Sequence, residues 1–260
     1  MNVPWKIVSY YKVGSGQNAQ IFYDKLFQAA LFYKFRKLPR GFATPVNNQT
    51  LTDAIFDLTS HDILKIDGKE INGQKVKELF VTVILLKRLE TKFENNDTVF
   101  IVTPEAETSC DTAIFVAKSA AKFKLLKNDE LKLDGSHMQL HFQVKEFTDF
   151  SRLTGEELLT PKNVTATDVA AVTKQEYKEE VLVFMRDFLI YQSENFKNFF
   201  ETHPNYILIS MPDQIVKDNM PIALDSDKHN YIVAFPNMFT IESFSRPSTL
   251  MTEEQIKKIK

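Results

Sequence analysis

The order of apolar and polar positions divides the chain into helical and extended stretches. Between Ser15 and Arg36, Ile21, Phe22, Leu26, Ala29, Ala30 and Tyr33 recur at helical spacing, with Ser15 as the candidate N-cap. A polar, proline-containing stretch runs from Pro39 to Asn48, followed by a short helical piece over Leu51–Leu58 and a strand at Ile63–Ile66. The pairs Asp67-Gly68 and Asn72-Gly73 mark turns. Leu79–Leu86 is apolar on every side and rich in β-branched residues, so periodicity does not separate a buried helix from a buried strand. Length and the flanking charges Lys75, Lys77, Glu78 and Lys87 to Glu90 favour a helix over 74–93.

Three strands follow, at Thr98–Thr103, Thr112–Val116 and Met138–Phe147. In the third, Met138, Leu140, Phe142 and Val144 alternate with Gln139, His141, Gln143 and Lys145, which takes the latter four to the opposite face. A Lys-rich polar loop separates the second strand from the third. Further on, Tyr177, Val181, Phe184, Phe188, Tyr191 and Phe199 form one stripe and predict a long amphipathic helix over 174–200. Tyr206–Ser210 and Tyr231–Phe235 read as two more strands. The fold class these elements predict is α/β, a mixed central sheet flanked by helices.

Composition narrows the function. The chain of 260 residues is long enough to bury a core without disulfides or structural metal. With 32 Lys+Arg against 34 Asp+Glu, the net charge of −2 makes no electrostatic case for coating nucleic acid or an anionic membrane, so any nucleic-acid role must come from a local site. The single Cys110 excludes an internal disulfide and zinc clusters needing several cysteines, and it points to a reducing interior. The first residues carry no signal-peptide pattern and no stretch of about 18 apolar residues predicts a membrane span, so the expected location is the cytoplasm. With 7 Gly and neither a Walker A nor a dinucleotide fingerprint, nucleotide-driven motors and nicotinamide oxidoreductases are disfavoured.

In order, the middle of the chain reads helix, strand, strand, strand, helix, strand, with Asp111 at the head of the second strand and Gln143-Val144-Lys145 inside the third. That order and those residues resemble the PD-(D/E)XK nuclease superfamily, in the restriction-type and defence-associated branches whose (D/E)XK element reads QXK. The resemblance covers roughly residues 74–210. It implies a restriction-endonuclease-like core over 74–240, an N-terminal helical extension over 1–73 packed on it, and a C-terminal tail over 241–260. Two features depart from the family pattern: a neutral Gln stands where an acid is usual, and Cys110, not Pro, precedes Asp111.

The resemblance implies a Mg²⁺- or Mn²⁺-dependent hydrolase of phosphodiester bonds, placed in phage defence or restriction. Its substrate would be nucleic acid, DNA ahead of RNA, with a homodimer or larger defence complex as the assembly. Asp111 and Gln143 would be metal ligands, and Lys145, two residues on and on the same face, would hold the attacking water or the scissile phosphate. A further acid from the helix or the approach to the second strand would complete the site; the candidates are Glu78, Glu90 and Glu107, with Glu90 preferred because it shares a helical face with Val76, Leu79 and Val83. Lys118, Lys122, Lys124 and Lys127 form a basic cluster suited to gripping phosphates. His137 and His141, about 13 Å apart along a strand, are too far apart to share a metal. The alternative is a non-catalytic α/β binding or interaction protein, a degenerate nuclease fold or a complex subunit, in which the same residues are surface polar groups and turn residues.

Overall fold

The computed structural model describes residues 5–36, 48–105, 110–119, 122–125, 131–134, 137–146, 180–185, 205–210 and 231–233. Strand β1 (Trp5–Lys12) precedes helices α1 (Ala19–Arg36) and α2 (Asn48–Phe56). A small hairpin, β2 (Ile63–Ile66) and β3 (Lys69–Asn72), leads into α3 (Gly73–Leu89). There follow β4 (Thr98–Pro104), β5 (Thr112–Ala117), a hairpin of β6 (Lys122–Leu125) and β7 (Leu131–Asp134), β8 (His137–Glu146), β9 (Glu180–Met185), β10 (Tyr206–Ser210) and β11 (Tyr231–Val233).

Seven strands form one sheet in the order β1-β4-β5-β8-β9-β10-β11. The pairs from β1 to β8 are antiparallel, and those from β8 to β11 are parallel. The architecture is therefore mixed α/β. Phe142 and Val144 of β8 share one core with Ile114 and Val116 of β5, Leu182 and Phe184 of β9, and the buried sides of the three helices. The other sheet face carries a smaller cluster of Ile7, Phe100, Val102, Ala113, Phe115 and Ala117.

Helix α3 is central to this packing, buried continuously from Val76 to Leu86, which accounts for a sequence without a polar stripe. The Phe80 ring packs tilted against Tyr23 at 4.7 Å and stacks on Phe27 at 5.8 Å between ring centres, locking α3 to α1. The start of α3 is fixed tightly. The Asn72 side chain caps Lys75 N, Gly73 N donates to Asp62 O at 2.7 Å, and a Cβ on Gly73 would stand 2.5 Å from the main-chain oxygen of Thr59. Only glycine fits there.

Several expectations change. Residues 180–185 are strand β9, not part of a helix over 174–200; the rest of that stretch lies outside the described residues. Val181 to Phe184 are all buried because β9 runs between β8 and β10, and a strand covered on both faces loses the alternation that would distinguish it from a helix. The first 73 residues are more than a helical extension, since β1 is an edge strand of the main sheet, hydrogen-bonded to β4. Asn18, not Ser15, caps α1, its side chain accepting from Ile21 N at 3.1 Å. The Lys-rich loop contains the β6–β7 hairpin. The C-terminal tail over 241–260 lies outside the described residues. Among the described residues no helix is long and apolar enough to cross a membrane.

Candidate functional site

Short connections make consecutive elements run back and forth. Helix α3 is followed within a few residues by β4, and β4 by antiparallel β5, so the head of β5 returns to the end of the sheet where α3 begins. There Asp111 meets the first turns of α3 and the second half of β8.

Asp111 extends the β5–β8 ladder by one step. Its N–H donates to Phe142 O at 2.9 Å, and its Oδ2 takes the place of a main-chain carbonyl by accepting the Val144 N–H at 2.8 Å. The same oxygen accepts from Gln143 Nε2 at 2.6 Å. Gln143 is only 7% exposed although it lies on the sheet face away from the main core, and this partner engages its amide nitrogen. Lys145, two residues along β8, shares that face and is half-buried.

From α3 come Lys75 and Glu78. Lys75 Nζ donates to the main-chain oxygen of Asp111 at 2.9 Å and pairs with Glu78 Oε2 at 2.5 Å. Gln74 Nε2 donates to the other Glu78 oxygen at 3.2 Å. Burial pushes the Glu78 carboxyl above the usual range; Lys75 opposes the shift and the nearby Asp111 charge adds to it. One turn on, the Thr82 and Thr112 hydroxyls share a buried hydrogen bond of 2.6 Å that fixes α3 against β5. Lys77, 5% exposed, donates to Phe56 O at 2.9 Å and to Glu146 Oε2 at 2.7 Å, tying the end of α2 to β8 beside the site.

Thus Asp111 and Gln143 are brought together, with Lys145 on the same strand face as Gln143. Glu90 is not brought to them. It lies twelve residues beyond Glu78, about 18 Å along the helix, where its carboxylate accepts from Ala19 N at 3.2 Å and faces the Tyr11 phenol. The all-round burial of α3 made the helical wheel a poor guide to which acid approaches Asp111; chain direction was the signal, and it selects Glu78. Lys75, a flanking charge in the sequence, reaches the main-chain oxygen of Asp111 with its ammonium. Lys118 lies past the far end of β5, where Asp97 accepts from it at 3.1 Å and holds its ammonium above the usual range. Lys122 and Lys124 fall on β6, while Glu107 and Lys127 lie outside the described residues. His137 and His141 each contact Gln139, and the His141 ring packs 5.1 Å from Trp5.

The donor set is oxygen throughout: the carboxylates of Asp111 and Glu78 and the carboxamide of Gln143. Rotation of the Gln143 amide exchanges its donor for its acceptor without moving the rest of the side chain. Such donors suit a hard divalent cation such as Mg²⁺ or Mn²⁺. Among the described residues no group of three or more His, Cys, Asp or Glu is gathered, so the Gln143 carbonyl would be needed as a ligand. Comparison of the chain with protein-family models, with curated proteins and with solved structures finds no match.

Proposed function

We propose that the chain is a Mg²⁺- or Mn²⁺-dependent nuclease with a restriction-endonuclease-like core, whose site is formed by Asp111, Gln143, Lys145 and Glu78. The observation that carries this reading is the convergence of Asp111 and Gln143, 32 residues apart in sequence, with the buried Glu78 at one end of the sheet. Support also comes from the strand directions, β4, β5 and β8 antiparallel and β9 parallel to β8, which place the Asp111 and Gln-x-Lys elements on neighbouring strands.

A divalent cation held by Asp111, Glu78 and the Gln143 carbonyl would polarise the phosphate and acidify a bound water. The protein's own groups do the rest. The Val144 N–H fixes the Asp111 carboxylate at the strand junction. The ammonium of Lys145 offsets negative charge gathering on the phosphate as the water oxygen bonds to phosphorus and the P–O ester bond breaks, the proton shed by that water passing to solvent and the leaving oxygen taking one back from solvent. Substrate class, assembly and a role in phage defence rest on the resemblance described above.

A second reading has its own observation. Asp111 completes the β5–β8 ladder and engages the Gln143 amide nitrogen, which is a sufficient structural reason for both residues in a non-catalytic protein. Cleavage of plasmid DNA and of labelled single-stranded DNA and RNA separates the two. The nuclease reading expects cutting with Mg²⁺ or Mn²⁺, none with EDTA, and a loss of about 100-fold or more in Lys145→Ala. Equal activity in native and variant protein, or none in either, favours the binding protein.

A further inference from the structure

We propose that Lys75 is a tethered counter-cation: its ammonium bridges the Glu78 carboxylate and the main-chain oxygen of Asp111, and a divalent cation must displace it to enter. This regulation of metal loading rests on the nuclease reading above.

Both oxygens of Glu78 are engaged, one by Gln74 Nε2 at 3.2 Å and the other by Lys75 Nζ at 2.5 Å. Of these two donors, Lys75 is the one that also reaches Asp111, through the main-chain oxygen at 2.9 Å. An incoming cation that draws on both carboxylates therefore competes with Lys75 first. The pair is asymmetric in a way that decides which half moves. The Glu78 side chain is 9% exposed and fixed in the α3 packing, whereas that of Lys75 is 28% exposed on a flexible stem with a path to water. Displacing the ammonium costs one partly screened ion pair and one hydrogen bond, and water can take over both. The neighbouring Lys77 is no substitute, because its ammonium is held by Phe56 O and Glu146.

The device also has a structural use. Two carboxylates near one another in a buried setting repel, and an ammonium on the same helix relieves that repulsion in the absence of metal. Lys75 thus lets the site fold before a cation arrives, at the expense of metal affinity.

Calorimetric titration of the full chain with MnCl₂ tests this in native protein, Lys75→Met, Lys75→Arg and Asp111→Asn. Removing the competitor is expected to tighten Mn²⁺ binding by about threefold to tenfold in Lys75→Met, while Lys75→Arg, which keeps the charge, stays within about twofold of native. Asp111→Asn is expected to weaken binding by about tenfold or more. Unchanged or weaker binding in Lys75→Met, with Asp111→Asn still impaired, overturns the counter-cation and leaves the metal site standing. Binding that is absent, or indifferent to Asp111→Asn, removes both. A second measurement needs no variant: reductive methylation of Lys75, mapped by mass spectrometry, is expected to rise about twofold or more with saturating Mn²⁺ as the amine is released. A constant or reduced extent of labelling overturns the proposal.

Discussion

Asp111 and Gln143 face each other across the β5–β8 junction, with 2.6 Å between the carboxylate Oδ2 and the amide Nε2, and the same oxygen receives the Val144 N–H at 2.8 Å. One carboxylate oxygen thereby extends the β5–β8 ladder by a step and orients the side chain that would be its fellow ligand. Fold and site are joined at this atom, so substitutions here must be read for stability as well as for activity.

Asp111→Ala leaves the Val144 N–H and the Gln143 amide without their acceptor, at an expected cost of about 1–3 kcal/mol. Asp111→Asn retains one acceptor oxygen and is expected to cost less than about 1 kcal/mol. Urea unfolding of the two variants checks the difference. If the nuclease reading holds, both lose metal-dependent cleavage, so Asp111→Asn separates chemistry from folding.

Glu90 is expected to matter for stability alone. It supplies an acceptor to Ala19 N at the first turn of α1, and Glu90→Ala should cost about 1 kcal/mol in chemical denaturation, as loss of a helix cap does. Cleavage by that variant should match native protein. A selective loss of activity without loss of stability would return Glu90 to the site.

The ion pair of Lys77 and Glu146 joins side chains that are 6% and 21% exposed. Lys77→Met strands the Glu146 carboxylate and the Phe56 carbonyl, with an expected loss of about 2–4 kcal/mol. Adding Glu146→Leu removes the stranded charge and should recover most of that loss. Thermal unfolding of the single and double variants forms the cycle, and additive losses would show that the pair is not coupled.

Burial raises the Glu78 carboxyl above its ordinary value of 4.5, despite the opposing Lys75. A raised folded-state pKa means that the native state binds this proton more tightly than the unfolded chain does. The stability linked to it is therefore present below pH 4.5 and lost as pH rises through the folded-state value. Native protein is expected to gain stability relative to Glu78→Gln on acidification toward pH 4.5 and to lose that gain above the window. Melting temperatures of the two proteins from acid to neutral pH check the sign; a difference that does not vary with pH would contradict it.

Local sequence determined those elements whose residues carry their own signals. The stripe of Phe22 and Leu26 defines α1, and Asp67-Gly68, with Asp67 at φ 50° and Gly68 at φ 82°, closes the two-residue turn of the β2–β3 hairpin. The alternation of Phe142 and Val144 against Gln143 and Lys145 identified β8 and its two faces. The length of the apolar run and its flanking charges assigned α3 as a helix. Only the tertiary structure decided that Val181–Phe184 is an inner strand, because burial on both faces erases the periodicity that local reading relies on. It also decided which acid lies near Asp111, with Lys75 bridging Glu78 and the Asp111 main-chain oxygen. Glu78 lies in the second turn of α3 and Glu90 caps its C-terminal end, but chain reversal through β4 and β5 brings the head of β5 to the first turns of α3 and leaves Glu90 at the far end. Neighbourhood across a sheet depends on strand direction and pairing, and the spacing of residues along the chain encodes these only indirectly.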